Sequence, residues 1–269
     1  MSLILTPLSG IPLVRRGDNL ADFIVKALEE NEIALDDNDI LVLAQKIVSK
    51  SEGRTVNLAA VTPSQRAIDL ARQTDKDARV VELILRESSE VLRTRPGTII
   101  VEHRLGFVCA NAGIDHSNVA PPLPEGDCEA LRKEGPGVRA EEWVLLLPTE
   151  PDHSAEMIRK EIESQTGKQI GILIIDSHGR AWRNGTVGVA IGIAGLPGLQ
   201  DLRGQPDLFG FSLRITQVGV ADELGAAASL AMGQAAEGTP VVHVRGFPYP
   251  LREASLKELL RPKEQDLFR

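Results

Sequence analysis

The sequence predicts an α+β fold in which mixed sheets pack against helices. Helical and strand patterns alternate along the chain, but several predicted strands follow one another without a helix between them. That order is typical of α+β proteins and differs from the regular alternation of a doubly wound Rossmann domain. No GxGxxG opens a helix after a strand and no GxxxxGK[ST] loop is present, so a bound nucleotide would use neither standard phosphate loop.

Length and composition narrow the class of protein. The 269 residues are enough for one domain over 1–250, or for two closely packed subdomains within it. A net charge of −8 and only 3% aromatic residues argue against nucleic-acid binding. Two cysteines imply no disulfide framework, and neither a signal peptide nor a bilayer-spanning apolar run is visible. We therefore expect a cytoplasmic protein that binds no membrane.

The first half of the chain is predicted to begin with a helix after Asn19, which has an apolar face. An acidic turn over 36–39, expected to be solvated, precedes a short buried strand over 40–44. The segment over 45–54 is predicted to be a polar turn, whose lysines are equally compatible with phosphate contact and with solvation. The remaining predicted elements are helices over 63–74 and 77–86, strands over 98–102 and 107–110, and a polar turn over 113–118.

The second half opens with an irregular, Pro- and Gly-rich segment over 120–142, which we interpret as an inserted flap. A strand over 144–147 precedes a helix capped by Asp152 or Ser154 and stopped by Gly167. A central strand over 169–175 follows, and then a Gly-rich stretch over 186–199 that lets backbones approach closely. Partial strand-like alternation over 212–221 precedes an Ala-rich helix over 222–236, which has Gly238 near its end. The last predicted elements are a strand over 240–245 and a helical tail over 251–269.

The most informative stretch runs from Asp176 to Gly185, where the apolar central strand meets an acid. Loops that leave strand ends commonly carry the chemistry of α/β proteins. A carboxylate beside the Ser177 hydroxyl suits Mg²⁺ or Mn²⁺, and Arg180 and Arg183 suit phosphate or carboxylate groups. On spacing alone, a capped turn with surface arginines explains the same residues equally well.

Four segments, over 44–54, 102–118, 176–185 and 221–234, closely resemble the coenzyme F420-0:L-glutamate ligase (gamma-glutamyl ligase) family. The resemblance spans nearly the whole chain, from residue 8 to residue 247. It implies a ligase that uses GTP to add L-glutamate to coenzyme F420-0 by a gamma-glutamyl amide bond. The implied route passes through an acyl phosphate and releases GDP and phosphate, and the implied assembly is an intertwined homodimer.

The resemblance also implies site residues. Asp115, Asp176 and Ser177 correspond to ligands of Mg²⁺ or Mn²⁺, with up to two ions, and K⁺ is a further candidate. Gln234 falls where some members have another metal-binding acid or amide. Our own inference adds Arg180 and Arg183 as catalytic residues that position phosphate or glutamate carboxylates. The implied GTP-contacting residues are Ile11, Pro12, Leu13, Val14, Gln45, Lys50, Asn118, Met232, Gly233, Gln234, Ala235, Ala236, Glu237, Gly238 and Thr239.

Simpler explanations exist for several residues. Asp115 fits an Asx-turn with Ser117, His103 fits a structural role, and Cys109 and Trp182 fit packing. The alternative functions are an amide ligase for another carboxylate acceptor, a metal-dependent phosphohydrolase, or a nucleotide-binding module without chemistry. The number of glutamates added, the preferred metal and the strictness for GTP over ATP stay open.

Overall fold

The computed structural model describes residues 2–119 and 142–267. The predicted flap over 120–142 therefore lies outside the described residues, except for Glu142. The chain divides into two compact units. The first comprises Met1–Leu13, Asn19–Ile47 and Thr149–Asp266, and the second comprises Val14–Asp18, Val48–Pro148 and Leu267–Arg269.

Strands and helices alternate irregularly, as the predicted α+β class requires. The strands are β1 (Ile4–Pro7), β2 (Ile40–Ala44), β3 (Thr55–Asn57), β4 (Ser88–Arg95), β5 (Thr98–His103), β6 (Val108–Ala110), β7 (Trp143–Leu145), β8 (Gly171–Arg180), β9 (Arg183–Ala194), β10 (Gln200–Asp201), β11 (Gln217–Val218) and β12 (Val241–Arg245). The α-helices are α1 (Leu20–Glu30), α2 (Gln45–Ser51), α3 (Gln65–Thr74), α4 (Ala78–Arg86), α5 (Pro151–Thr166) and α6 (Val220–Met232).

A five-stranded sheet forms the centre of the first unit, in the order β1-β12-β2-β8-β9. The pair β2–β8 is parallel and the other pairs are antiparallel, so the sheet is mixed, as predicted. The apolar runs of β2 and β8 are completely buried. Such continuous apolar strands are typical of the covered centre of a sheet.

Glycines on β9 let two helices approach the sheet closely, which confirms the expectation for the Gly-rich stretch. A Cβ at Gly188 would lie 2.5 Å from Cβ of Ser229 on α6, and a Cβ at Gly192 would lie 2.6 Å from the carbonyl oxygen of Pro151 on α5. Real Cβ atoms essentially never come this close to a neighbour. The two glycines therefore set the distances of α6 and α5 from β9.

The second unit contains the antiparallel pair β3–β7 and the antiparallel sheet β4-β5-β6, with α3 and α4 in its core. Cys109 is buried in this core, as predicted. His103 is 3% exposed, accepts the backbone N–H of Leu105 at Nδ1 and stacks on Phe107 with ring centroids 5.1 Å apart. These contacts agree with the predicted structural role of this histidine.

Capping side chains begin three of the predicted helices. Asn19, Ser64 and Asp77 each accept a backbone N–H from the first turn of α1, α3 and α4. Gly167 adopts a left-handed conformation with φ of 70° after α5, as expected for a helix stop. In residues 2–119 and 142–267, no helix is long and apolar enough to cross a membrane.

Other local predictions were wrong. The segment predicted as a polar turn over 45–54 is mostly the helix α2. Helix α5 begins after Glu150, and the carboxylate of Asp152 instead accepts the backbone N–H groups of Ile193 and Leu256. Helix α6 ends at Met232, before Gly238. Strand β4 was missed because its residues are largely exposed and polar.

The acidic turn before β2 is not fully solvated, because Asp39 is 2% exposed. Arg245 and His243 on β12 bind its carboxylate, and these partners lie too far along the chain for a local pattern to reveal them. In the described part of the predicted helical tail over 251–269, the helical residues are two short 3₁₀ helices, Leu256–Glu258 and Lys263–Gln265.

Candidate functional site

The polar stretch that begins at Asp176 continues β8, so the prediction that the strand stops there was wrong. Ile175 pairs with Ala44 at the end of β2, and beyond this point β8 pairs with β9 alone as far as Arg180. Losing one neighbouring strand exposes the hairpin to solvent, which explains why the residues turn polar while the backbone stays extended. We call residues 176–189 the hairpin arm.

Asp176 and Ser177 present their side chains to opposite faces of the hairpin arm, because successive side chains alternate along a strand. The contacts agree with this alternation. Nε2 of His178, two residues on, lies 3.0 Å from Oδ2 of Asp176. Ser177 instead contacts Gln234, in the loop after α6. The structure therefore places the two neighbouring candidate ligands on opposite faces of the hairpin arm.

A chain of hydrogen bonds links Ser177 to helix α6. The Ser177 hydroxyl donates to Oε1 of Gln234 at 2.8 Å, and Nε2 of Gln234 donates to Oγ of Ser229 at 2.7 Å. Ser229 is 6% exposed and lies on the last turns of α6. The spacing of Ser229 in the sequence carried no signal for this contact.

The oxygen atoms of this site fit a hard divalent cation. Hydroxyl and amide carbonyl oxygens are hard donors of the type that divalent cations such as Mg²⁺ bind. The oxygens of Ser177 and Gln234 lie 2.8 Å apart because they share a hydrogen bond, and a cation that bound both oxygens would replace that bond. Among residues 2–119 and 142–267, no group of three or more His, Cys, Asp and Glu is arranged to hold a metal.

Asp222 in the first turn of α6 adds a buried carboxylate near the hairpin arm. Its Oδ1 accepts the backbone N–H of Ala190 at 2.9 Å. Burial raises the pKa of Asp222, and the hydrogen bond from Ala190 and the charge of His178 offset this only in part. Asp222 lies in one of the segments that carried the family resemblance, which was the signal available for it.

The tip of the hairpin arm displays cationic and aromatic side chains to solvent. Arg180 and Arg183 are exposed, and Nη2 of Arg180 donates to the carbonyl of Asn184 at 3.2 Å. Trp182 is 89% exposed, with φ of 63°, so the prediction that it packs in the core was wrong. The tip is thus free to contact a large anionic molecule.

In the loop after α6, several backbone N–H groups point toward the carboxylate of Glu237. Gly233 ends the helix, and the Thr239 hydroxyl donates to the carbonyl of Met232 at 3.0 Å. The carboxylate of Glu237 accepts the N–H of Ala235 at 2.7 Å. Hydrogen bonds from the N–H groups of Glu237, Ala235 and Gln234 lower the pKa of Glu237. Backbone N–H groups converging in this way form the kind of nest that binds phosphate in other proteins.

The other implied nucleotide-contacting residues are spread over both units. In the first unit, Gln45 begins α2 and is 1% exposed, while Leu13 is 74% exposed. In the second unit, Lys50 lies in the last turn of α2 and Asn118 has a φ of 57°. The remaining members of the set are Ile11 and Pro12 in the first unit, Val14 in the second, and exposed Ala236 and Gly238 in the loop after α6.

Asp115 lies in the second unit. Its backbone exchanges two hydrogen bonds with Leu145, of 3.0 and 2.9 Å, which anchor it beside β7. This pairing holds the backbone of Asp115 in a defined position, as a ligand residue requires.

Comparison with known proteins gives a consistent family. The model of the family F420-0:Gamma-glutamyl ligase matches residues 10–246. The coenzyme F420:L-glutamate ligase of Methanothermobacter thermautotrophicus is 46% identical over 271 residues, covering 100% of both chains. The enzymes of the same name from Methanocaldococcus jannaschii and Methanopyrus kandleri are 41% and 42% identical, covering 96% and 95% of this chain and 94% and 93% of their own.

Proposed function

The chain belongs to the F420-0:gamma-glutamyl ligase family, and from this premise we propose that it adds L-glutamate to coenzyme F420-0 through a gamma-glutamyl amide bond. The observation that carries the proposal is the full-length match to a coenzyme F420:L-glutamate ligase. The oxygen sites on the hairpin arm support it, because they suit a reaction that activates a carboxylate with a nucleoside triphosphate.

In the proposed reaction, the terminal carboxylate of F420-0 attacks the γ-phosphorus of GTP, and the bond from that phosphorus to GDP breaks. The amine of L-glutamate then attacks the carbonyl carbon of the acyl phosphate. Phosphate leaves, a proton is released from nitrogen, and the amide remains. A bound divalent cation supplies charge neutralisation at the phosphate oxygens.

The two faces of the hairpin arm favour two ion sites in this proposal. Asp176 would serve one site, and Ser177 and Gln234 would serve the other, while Asp115 remains a proposed ligand on the family resemblance. Mg²⁺ or Mn²⁺ suits both sites, since every side-chain donor is an oxygen atom. We propose no residue set for K⁺.

Cationic and amide groups would hold the anionic substrates. Arg180 and Arg183 at the tip of the hairpin arm offer bidentate contacts to phosphate or to the carboxylates of glutamate. The N–H groups near Glu237 offer the same hydrogen bonds to a GTP phosphate that they now make to the Glu237 carboxylate.

We also propose that the chain acts as a homodimer. The loop between β10 and β11 exposes Leu208 (98%), Phe209 (94%) and Ile215 (88%). Apolar side chains clustered on one exposed loop are typical of a protein interface. A second copy of the chain is the partner that the family resemblance implies.

Mass spectrometry tests the proposed activity. The chain is incubated with GTP, Mn²⁺ or Mg²⁺, L-glutamate and F420-0, and we expect a product heavier by one or more glutamyl units. Asp176→Asn should lower the rate roughly 100-fold or more, as removal of a group that stabilises transition-state charge does. Asp69→Asn, on the exposed surface of α3, is the matched control and should leave the rate unchanged.

Other outcomes would contradict the proposal. Phosphate release that does not depend on glutamate would indicate a phosphohydrolase. Intact GTP and no added mass would indicate another acceptor or another nucleotide.

A further inference from the structure

Among the candidate ligands, Gln234 is the one whose position is least fixed by its own local structure. It lies on an exposed loop after the end of α6, and its side chain has three rotatable bonds. Ordering a free glutamine side chain costs conformational entropy. Its amide also has two chemically different ends, of which the oxygen alone suits a cation.

The hydrogen bond with Ser229 restricts the rotation of the Gln234 side chain and fixes the orientation of its amide. Oγ of Ser229 accepts Nε2 of Gln234 at 2.7 Å, so the nitrogen end of the amide turns toward α6. The oxygen end then faces Ser177 at 2.8 Å. Ser229 is itself held firmly, because α6 packs against Gly188, the residue paired with Ser177 across the hairpin arm.

From this geometry we propose that Ser229 is a positioning residue for a divalent cation. By accepting the amide N–H₂ of Gln234, Ser229 directs Oε1 of Gln234 and Oγ of Ser177 toward a shared cation. The inference rests on the proposed function, which places a metal at Ser177. Residues that orient a metal ligand in this way typically change metal affinity by about 10- to 100-fold when they are replaced.

A double-mutant cycle between positions 229 and 234 tests the inference. A carboxylate presents oxygen whichever way it is turned, so Gln234→Glu should remove the need for orientation by Ser229. The readout is the dissociation constant for Mn²⁺ alone, measured by electron paramagnetic resonance of the free ion. We expect Ser229→Ala to weaken Mn²⁺ binding about tenfold beside Gln234. In the Gln234→Glu chain, the same change should weaken binding by less than about twofold.

Two controls separate orientation from packing. Ser88→Ala removes a hydroxyl that donates to the carbonyl of Ile84 in the second unit, and should leave Mn²⁺ binding unchanged. Thermal unfolding of every variant shows whether α6 stays packed on the sheet. Ser229→Ala could weaken Mn²⁺ binding equally in the wild-type and Gln234→Glu chains, or in neither of them. Either result would overturn the positioning role of Ser229 and leave the proposed metal site standing. A wild-type chain that binds no Mn²⁺ would overturn the proposed metal site and the inference with it.

Discussion

Two aspartates mark the opposite ends of the parallel pair β2–β8, and their surroundings differ. Asp39 directly precedes β2, where Ile40 pairs with Gly171, and Asp176 directly follows the last parallel pair, Ala44 with Ile175. Both side chains are largely buried, with exposed fractions of 2% for Asp39 and 10% for Asp176. Burial therefore does not distinguish these two carboxylates.

The partners of the two carboxylates do distinguish them. Asp39 accepts Nε and Nη2 of Arg245 at 3.0 and 2.6 Å and the backbone N–H of Asp36 at 2.9 Å, and it contacts Nε2 of His243 at 2.8 Å. Burial raises the pKa of Asp39, but these contacts together outweigh it, and its pKa lies below the ordinary value. Asp176 contacts His178 on its own strand. The amino end of the strand pair is thus tied by internal bonds, while the carboxyl end of parallel strands is the edge where α/β proteins commonly bind ligands.

The largest expected effect is a difference in unfolding free energy between the same substitution made at Asp39 and at Asp176. Asp39→Asn should lower the free energy of unfolding by about 3 kcal/mol, because it removes the negative partner of buried His243 and leaves the partly exposed Arg245 with Asp36. Asp176→Asn should lower it by less, about 1 kcal/mol, because it weakens the contact with His178. Urea denaturation followed by circular dichroism measures both values. Equal losses of unfolding free energy would show that both aspartates stabilise the fold. The contrast between the two ends would then be wrong.

A smaller effect is expected from the backbone that supports the carboxyl end. Gly188→Ala places a Cβ 2.5 Å from Cβ of Ser229 and 2.6 Å from the carbonyl oxygen of Gly225. Such overpacking should cost about 2 kcal/mol of unfolding free energy. Gly179→Ala is the matched control on the same hairpin arm, since its Cβ would meet nothing within 4 Å. A tolerated Gly188→Ala would mean that α6 can shift without loss and that Ser229 is not firmly held.

The smallest effect is a pH dependence at the amino end. The pKa of Asp39 is lower in the folded chain than its ordinary 3.8, so its stabilising contribution is complete above about pH 4. This contribution is lost as the pH falls through the folded pKa. Wild-type unfolding free energy, measured in urea from pH 6 to pH 3, should therefore fall more steeply at the acid end than that of Asp39→Asn. Parallel curves would show that Asp39 does not carry this dependence.

Much of the fold and part of the site could be predicted from local patterns. The caps Asn19, Ser64 and Asp77 begin helices where expected, because capping depends on residues within one turn. The stretch from Asp176 was recognised because carboxylate, hydroxyl and guanidinium groups lie within a few residues of an apolar strand. The length of β8 was not, because its extension depends on pairing with β9.

The sequence by itself determined the α+β class, most helix and strand positions and the family, since each is encoded in local periodicity and contiguous motifs. Only the tertiary structure decided which distant side chains meet. Asp39 meets Arg245 across 206 residues, and Ser177 meets Gln234 across 57. Whether a carboxylate or an amide stabilises the fold or is presented to a ligand depends on which distant strand or helix supplies its hydrogen-bond partners, and local spacing does not contain that information.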